Sequence, residues 1–281
     1  MERATGLTEN RSKSTRARAG ESARESSRGT ADQLLSAPPG SLAERASAKT
    51  AGWHPAARFA VALLSAFAVF GVLSIGVGYL VTHVLLDISG VSSTDERAVT
   101  SLVGHRSSGL TDVSAAGSAI AGGLVLPVLV GSLALYFAIR RRWQLAAYVV
   151  FALAVESALY RVTTIVIHRH RPDVARLEQL PVNASYPSGH TAASVAVYVG
   201  LALLLSARAK GTRYFGLVWM LALLIPVFVA GSRMYRGMHH PIDTLAGAGV
   251  GLLALTAVIF ACRVTNGPRR AGELEGTRGA R

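Results

Sequence analysis

One cysteine in 281 residues, Cys262, excludes an intramolecular disulfide. Its place inside an apolar run makes it a small buried hydrophobe. Charge is also scarce. Only 16% of residues are charged, 51% are hydrophobic and mean hydropathy is positive. So little charge excludes an ordinary soluble surface and points to a membrane protein. Aromatic residues are missing until Trp53, in a stretch rich in Ser, Ala, Arg and Glu. Such a stretch buries too little apolar area to offset chain entropy, so residues 1–55 are expected to form a disordered basic tail. No apolar core follows the first charges, which argues against a signal peptide. No polar insert of domain size separates the later apolar runs. One domain over 56–264 is expected, then a short basic tail over 265–281.

What the sequence does contain is six long apolar runs, at about 60–86, 116–139, 144–167, 189–207, 214–232 and 242–262. A helix needs about 20 apolar residues to cross roughly 30 Å of hydrocarbon. The runs are continuous rather than alternating, which excludes sheet. The expected fold is all-α: a polytopic bundle of six transmembrane helices, with Pro127 as a kink in the second. In the last run, the small residues of AGAGVG (Gly247, Gly249, Gly251) suit close helix packing within the bundle, with a homodimer face as the alternative.

The formal net charge of +13 raises the question of nucleic acid. Position excludes it, because the basic residues sit in tails and short loops between apolar runs. With both termini placed in the cytoplasm, only eight of the 29 Lys and Arg fall elsewhere: Arg97, Arg106, Arg161, Arg169, Arg171, Arg176, Arg233 and Arg236. The positive-inside bias therefore favours this orientation. The Ala-, Gly- and Arg-rich composition suits a bacterial inner (plasma) membrane. Glu156 and Arg161 lie within the third run and are expected to form a structural pair.

Five of the outside arginines gather in two loops, beside three polar motifs on the same face. The first motif is HRHRPD (His168–Asp173), the second is PSGH (Pro187–His190), and the third is SRMYRGMHHPID (Ser232–Asp243). Guanidinium forks at Arg171 and Arg233 match phosphate oxygens. Ser188 and Gly189 open a helix, where free N–H groups and the dipole favour an anion. His190 follows, placed to pass a proton. His239 and Asp243, four apart, stack on one helical face, so that the carboxylate can hold one ring nitrogen and free the other. An anion clamp, an acid and an activated imidazole are what phosphoryl transfer requires where no metal supplies the charge. His240, His168 and His170 are expected to stay outside the chemistry. Arg236 is divided between headgroup binding and solvation.

The order Arg-Pro, then PSGH, then Ser-Arg-x5-His-x3-Asp resembles the type 2 phosphatidic acid phosphatase (PAP2) superfamily. The resemblance covers about residues 60–262. It implies an integral-membrane lipid phosphatase without cofactor or metal, with a lipid phosphate as substrate and its active site at the extracytoplasmic face. It further implies that His239 attacks phosphorus to form a phosphohistidine, that Asp243 orients it, and that His190 protonates the leaving group. Arg171, Ser188, Gly189 and Arg233 would bind the phosphoryl oxygens. The sequence departs from the family at its first motif, Lys-x6-Arg-Pro, where the Lys position is Thr164. Arg169, at the mouth of the site, is the favoured replacement cation, with Arg161 the other choice. Thr164 keeps a second reading open: a catalytically weakened member that binds lipid phosphate headgroups or scaffolds partners. The haloperoxidases that share this anion site are soluble, and a transporter would carry its polar motifs at the midplane.

Overall fold

The computed structural model describes residues 34–209 and 211–268. Ten helices cover most of this length, and among the described residues there is no strand, only an isolated bridge between Arg169 and Ala184. Five helical segments have the length and composition to cross a membrane. They are α2 (Pro55–Leu80, continued by a π-helical turn to Leu85), α6 (Trp143–Val166), α7 (Gly189–Ser194, running through another π-helical turn at Val195–Val199 into α8, Gly200–Ala209), α9 (Tyr214–Tyr235) and α10 (Pro241–Asn266).

The second expected span, 116–139, is divided. Helix α4 (Ser108–Ala119) ends first, and α5 (Val125–Ile139) begins after Gly122-Gly123. Two adjacent glycines weaken a helix more than one proline does in its first turn. Pro127 is the third residue of α5, where an intrahelical N–H partner is lacking in any case. It therefore starts a helix and does not kink one. At 15 residues α5 is about 22 Å long, short of a full hydrocarbon crossing.

The expected tail also differs within the described part. Residues 1–33 lie outside the described residues. Residues 34–50 contain α1 (Leu42–Lys49), capped by Ser41, whose side chain accepts from the Glu44 N–H at 3.2 Å. Leu35, Ala37 and Ala43 are buried. The segment is tied to the last turn of α10. Arg263 Nε donates to Leu34 O (2.9 Å), Asn266 Nδ2 to Leu35 O (2.9 Å), and Arg58 Nη2, from α2, bridges Ser47 Oγ (2.5 Å) and Val264 O (2.6 Å). A few apolar residues and three donors suffice where composition alone suggested disorder.

Glu156 and Arg161 do not pair. Glu156 is buried and accepts from Ser157 Oγ at 3.2 Å, while Arg161 is exposed. Five residues along a helix turn through about 140° beyond one full circle, which sends the two side chains to different sides.

Helix α10 forms the centre of the bundle and packs against α1, α2, α6 and α7. Its small residues set how closely α7 approaches. A Cβ added at Gly247 would lie 2.3 Å from Ser188 O, and one at Gly251 would lie 2.5 Å from Ala192 O. Gly249, on another face, meets open space. The glycine run thus serves packing within this chain. Gly247→Ala is expected to force α7 off α10 and lower the thermal unfolding midpoint in detergent by several degrees, in line with an overpacking cost of about 1–3 kcal/mol. Gly249→Ala should leave the midpoint unchanged.

Candidate active site

The three polar motifs converge. The first lies in the loop after α6, whose two arms are zipped by backbone bonds. Arg169 N donates to Asn183 O, Arg171 N to Val182 O (2.9 Å), and Ser185 N to Arg169 O (3.1 Å). The second motif opens α7, and Ser188 N donates to Asp243 O at 2.9 Å. The third runs from the end of α9 through a turn, with Gly237 at φ +72°, into the first turn of α10.

Asp243 is fully buried, and both its carboxylate oxygens are taken. Oδ1 accepts from Arg169 Nη1. Oδ2 accepts from Ser185 Oγ (2.6 Å) and the His240 N–H (2.9 Å), with His240 Nδ1 at 3.2 Å. The expected bond from His239 to Asp243 is not made. His239 Nδ1 instead lies 2.7 Å from Ser185 O. A carbonyl oxygen can only accept, so Nδ1 carries the proton and Nε2 keeps its lone pair. Arg171 Nη1 sits 3.5 Å from that Nε2. Burial pushes the His239 pKa down to about 3 despite the opposing charge of Asp243, and Arg171 and Arg233 push the same way. The ring is therefore neutral, the form a nucleophile needs.

Arg233 is fully buried. Its Nη1 is held by Ser118 Oγ (2.6 Å) and by both oxygens of Glu178 (2.8 and 2.9 Å), while Nε and Nη2 are buried without a partner. Nε and Nη2 form the edge of a guanidinium that matches two oxygens of a phosphate. Arg236, left undecided between headgroup and solvent, donates from Nε to Glu178 at 2.6 Å. Arg171 is buried among carbonyls: Nε donates to Pro181 O (2.9 Å), Nη2 to Ala184 O (2.8 Å), and Nη1 to Met238 O. Among the described residues no carboxylate forms an ion pair with it. His190 and Gly189 are half-buried at the start of α7. A Cβ on Gly189 would meet the Tyr160 ring at 3.0 Å. Ser188 shares its hydroxyl with Thr191 at 3.0 Å, and its N–H is already committed to Asp243.

The structure sets Arg169, the favoured replacement cation, between two carboxylates. Its guanidinium is divided between Asp243 and Asp95, both carboxylates, through Nη1 and Nη2. Thr164 bonds only the Tyr186 carbonyl, at 3.4 Å. His168 and His170 are exposed. His240 is buried, with Nε2 2.8 Å from Glu96 Oε2 and Nδ1 on Asp243. Burial would lower its pKa, but the carboxylates outweigh burial and raise it.

Sequence reasoning missed Asp95, Glu96, Arg106, Ser118, Glu178 and Ser185. Asp95 and Glu96, in α3 (Val91–Gly104), and Arg106 come from the stretch between the first two apolar runs, Ser118 from the end of α4, and Glu178 and Ser185 from the loop after α6. The one available signal was the adjacent acidic pair Asp95-Glu96, in a chain with few acids.

The chain is similar to known proteins. Residues 145–267 match the model of the PAP2 superfamily. The chain is 29% identical over 177 residues to phosphatidylglycerophosphatase B of Bacillus subtilis (strain 168), covering 62% of this chain and 86% of that one. It is 32% identical over 119 residues to undecaprenyl-diphosphatase of Sulfolobus acidocaldarius, covering 41% of this chain and 53% of that one. The crystal structure of a transmembrane PAP2-type phosphatidylglycerolphosphate phosphatase from Bacillus subtilis aligns with a TM-score of 0.57 at 26% identity, covering 70% of this chain and 93% of that one.

Burial alone would raise the Glu178 pKa, but the charge of Arg233 and the bonds from Arg233 and Arg236 hold it at about 2, below its ordinary 4.5. A depressed carboxylate pKa contributes stability that is complete above the ordinary value and is lost as pH falls toward the folded one. Glu178→Gln should therefore lower the unfolding midpoint at pH 7, and the gap to wild type should close between about pH 4.5 and 2. Unfolding curves of both proteins across that range measure it.

Proposed function

We propose that the protein is a membrane lipid phosphatase that hydrolyses a phosphate monoester or diphosphate through a phosphohistidine, without a metal. The observation that carries the reading is the His239 ring. It is neutral, its Nδ1 is pinned by Ser185 O, and its Nε2 lone pair lies beside Arg171 in a site that also holds the unpartnered edge of Arg233. Nε2 attacks phosphorus, and the P–O bond to the leaving group breaks. His190 gives its proton to the departing oxygen, then takes one from the water that cleaves the P–N bond. Arg233 and Arg171 bear the charge on the phosphoryl oxygens, aided by the N-terminus of α7 at Gly189.

The substrate is a lipid phosphate. Phosphatidylglycerophosphate and polyprenyl diphosphate are favoured by the names of the relatives, and phosphatidate belongs to the same chemical class. The distribution of Lys and Arg supports an orientation with both termini in the cytoplasm and the site at the extracytoplasmic face of the plasma membrane.

Purified protein in detergent with a chelator should release phosphate from at least one of these lipids. His239→Ala should fall to the protein-free level, and His190→Ala should lose ~10²–10⁴-fold. Equal release by wild type and His239→Ala would refute the mechanism. Thr164, where the family carries a Lys, supports a second reading as a headgroup binder, and lipid binding with no turnover across the panel would decide for it.

A further inference from the structure

We infer that Asp95 is a positioning residue for the reaction: it binds Arg169 so that Arg169 holds Asp243 in place without cancelling its negative charge beneath His239. The inference rests on the reading of His239 as nucleophile.

The argument begins with a conflict. An imidazole that bonds phosphorus becomes positively charged, and a nearby anion stabilises that state. Asp243 is a buried anion whose charge acts on His239. Yet Asp243 is clasped directly by Arg169, and a one-to-one ion pair would present His239 with almost no net charge. Helix α3 resolves the conflict. Asp95 is itself buried. Its Oδ2 takes the second Arg169 nitrogen, and its Oδ1 accepts from the Ile242 N–H at 3.0 Å, in the first turn of α10. Glu96, the next residue, pairs through Oε2 with His240 at 2.8 Å and accepts the Asp173 N–H on Oε1 at 3.0 Å.

The charges can be counted. Asp95, Glu96 and Asp243 are negative. Arg169 is positive, as is His240, whose two ring nitrogens both face carboxylates. The cluster therefore keeps one net negative charge under the nucleophile. With Asp95 neutral it would keep none. Arg171 and Arg233, which face His239 from the phosphate side, add only positive charge.

The test uses the full chain in detergent with phosphatidylglycerophosphate. Asp95→Asn should lower kcat by ~10–100-fold, the usual range for a partner that acts through another residue, with KM within about threefold. Asp95→Glu should recover part of the loss. The double variant Asp95→Asn/Arg169→Gln restores one net negative charge and should turn over faster than Asp95→Asn alone. A merely structural Asp95 predicts the opposite, since the double variant breaks more bonds. Thermal unfolding of each variant reports folding separately. The inference is overturned if Asp95→Asn keeps wild-type kcat, or if the double variant is no faster than the single one. If His239→Ala turns over like wild type, the mechanism itself has failed. If His239→Ala is inactive while Asp95→Asn is fully active, only this inference has.

Discussion

The end of this protein that carries the three polar motifs is organised around one buried carboxylate. An ionised Asp243 in the interior is tolerable only if its lone pairs are filled by good donors. Those donors come from different segments: Arg169 and Ser185 from the loop after α6, and His240 from the turn before α10. The same residue's carbonyl receives the Ser188 N–H at the head of α7. Satisfying this group therefore brings all three polar motifs to one point. A network of this kind is stabilising when complete and costly when any member is missing. That coupling ties the geometry of the site to the stability of the fold around it.

The Ser185 carbonyl shows how the coupling reaches the chemistry. Ser185 uses its hydroxyl on Asp243 and its carbonyl on His239. The carboxylate thus fixes the imidazole through an intervening residue, and acts on it directly only through its field. Arg171 takes the carbonyls of Pro181, Ala184 and Met238, and so fastens the loop to the turn that carries His239. One face of the site is built by α3 and α4. Asp95 and Glu96 lie behind Asp243 and His240, and Ser118 lies behind Arg233. Arg106, between the two helices, donates to the carbonyls of Tyr235 and Ala175 and joins the same assembly.

Much of this was legible in the sequence, and the remainder was hidden for identifiable reasons. The apolar runs located the spanning helices because length and hydropathy are local properties. The second run misled, since Gly122-Gly123 lies in a stretch whose average hydropathy stays high. PSGH and the spacing from Ser232 to Asp243 pointed to side chains that the structure gathers in one place. Their pairings were not readable. A spacing of four suggested His239 on Asp243, but His239 precedes Pro241 and lies in the turn before α10, so helical stacking did not apply. Arg169 was expected to serve the anion because it lies at the mouth of the site. Its actual partners, Asp95 and Asp243, are each 74 residues away, and only the tertiary fold makes those contacts.

The docking of residues 34–50 on the far end of α10 has a consequence for how the protein sits in lipid. Helix α10 has 26 residues, so it is about 39 Å long and exceeds the roughly 30 Å hydrocarbon slab. One end is fastened at Asp243 and the other at Val264 and Asn266. A helix pinned at both ends cannot slide along its neighbours when bilayer thickness changes. Mismatch must then be absorbed by tilting the bundle as a whole or by deforming the lipid around it. The depth of His239 relative to the headgroups becomes a fixed dimension of the protein, and the membrane must adapt to it.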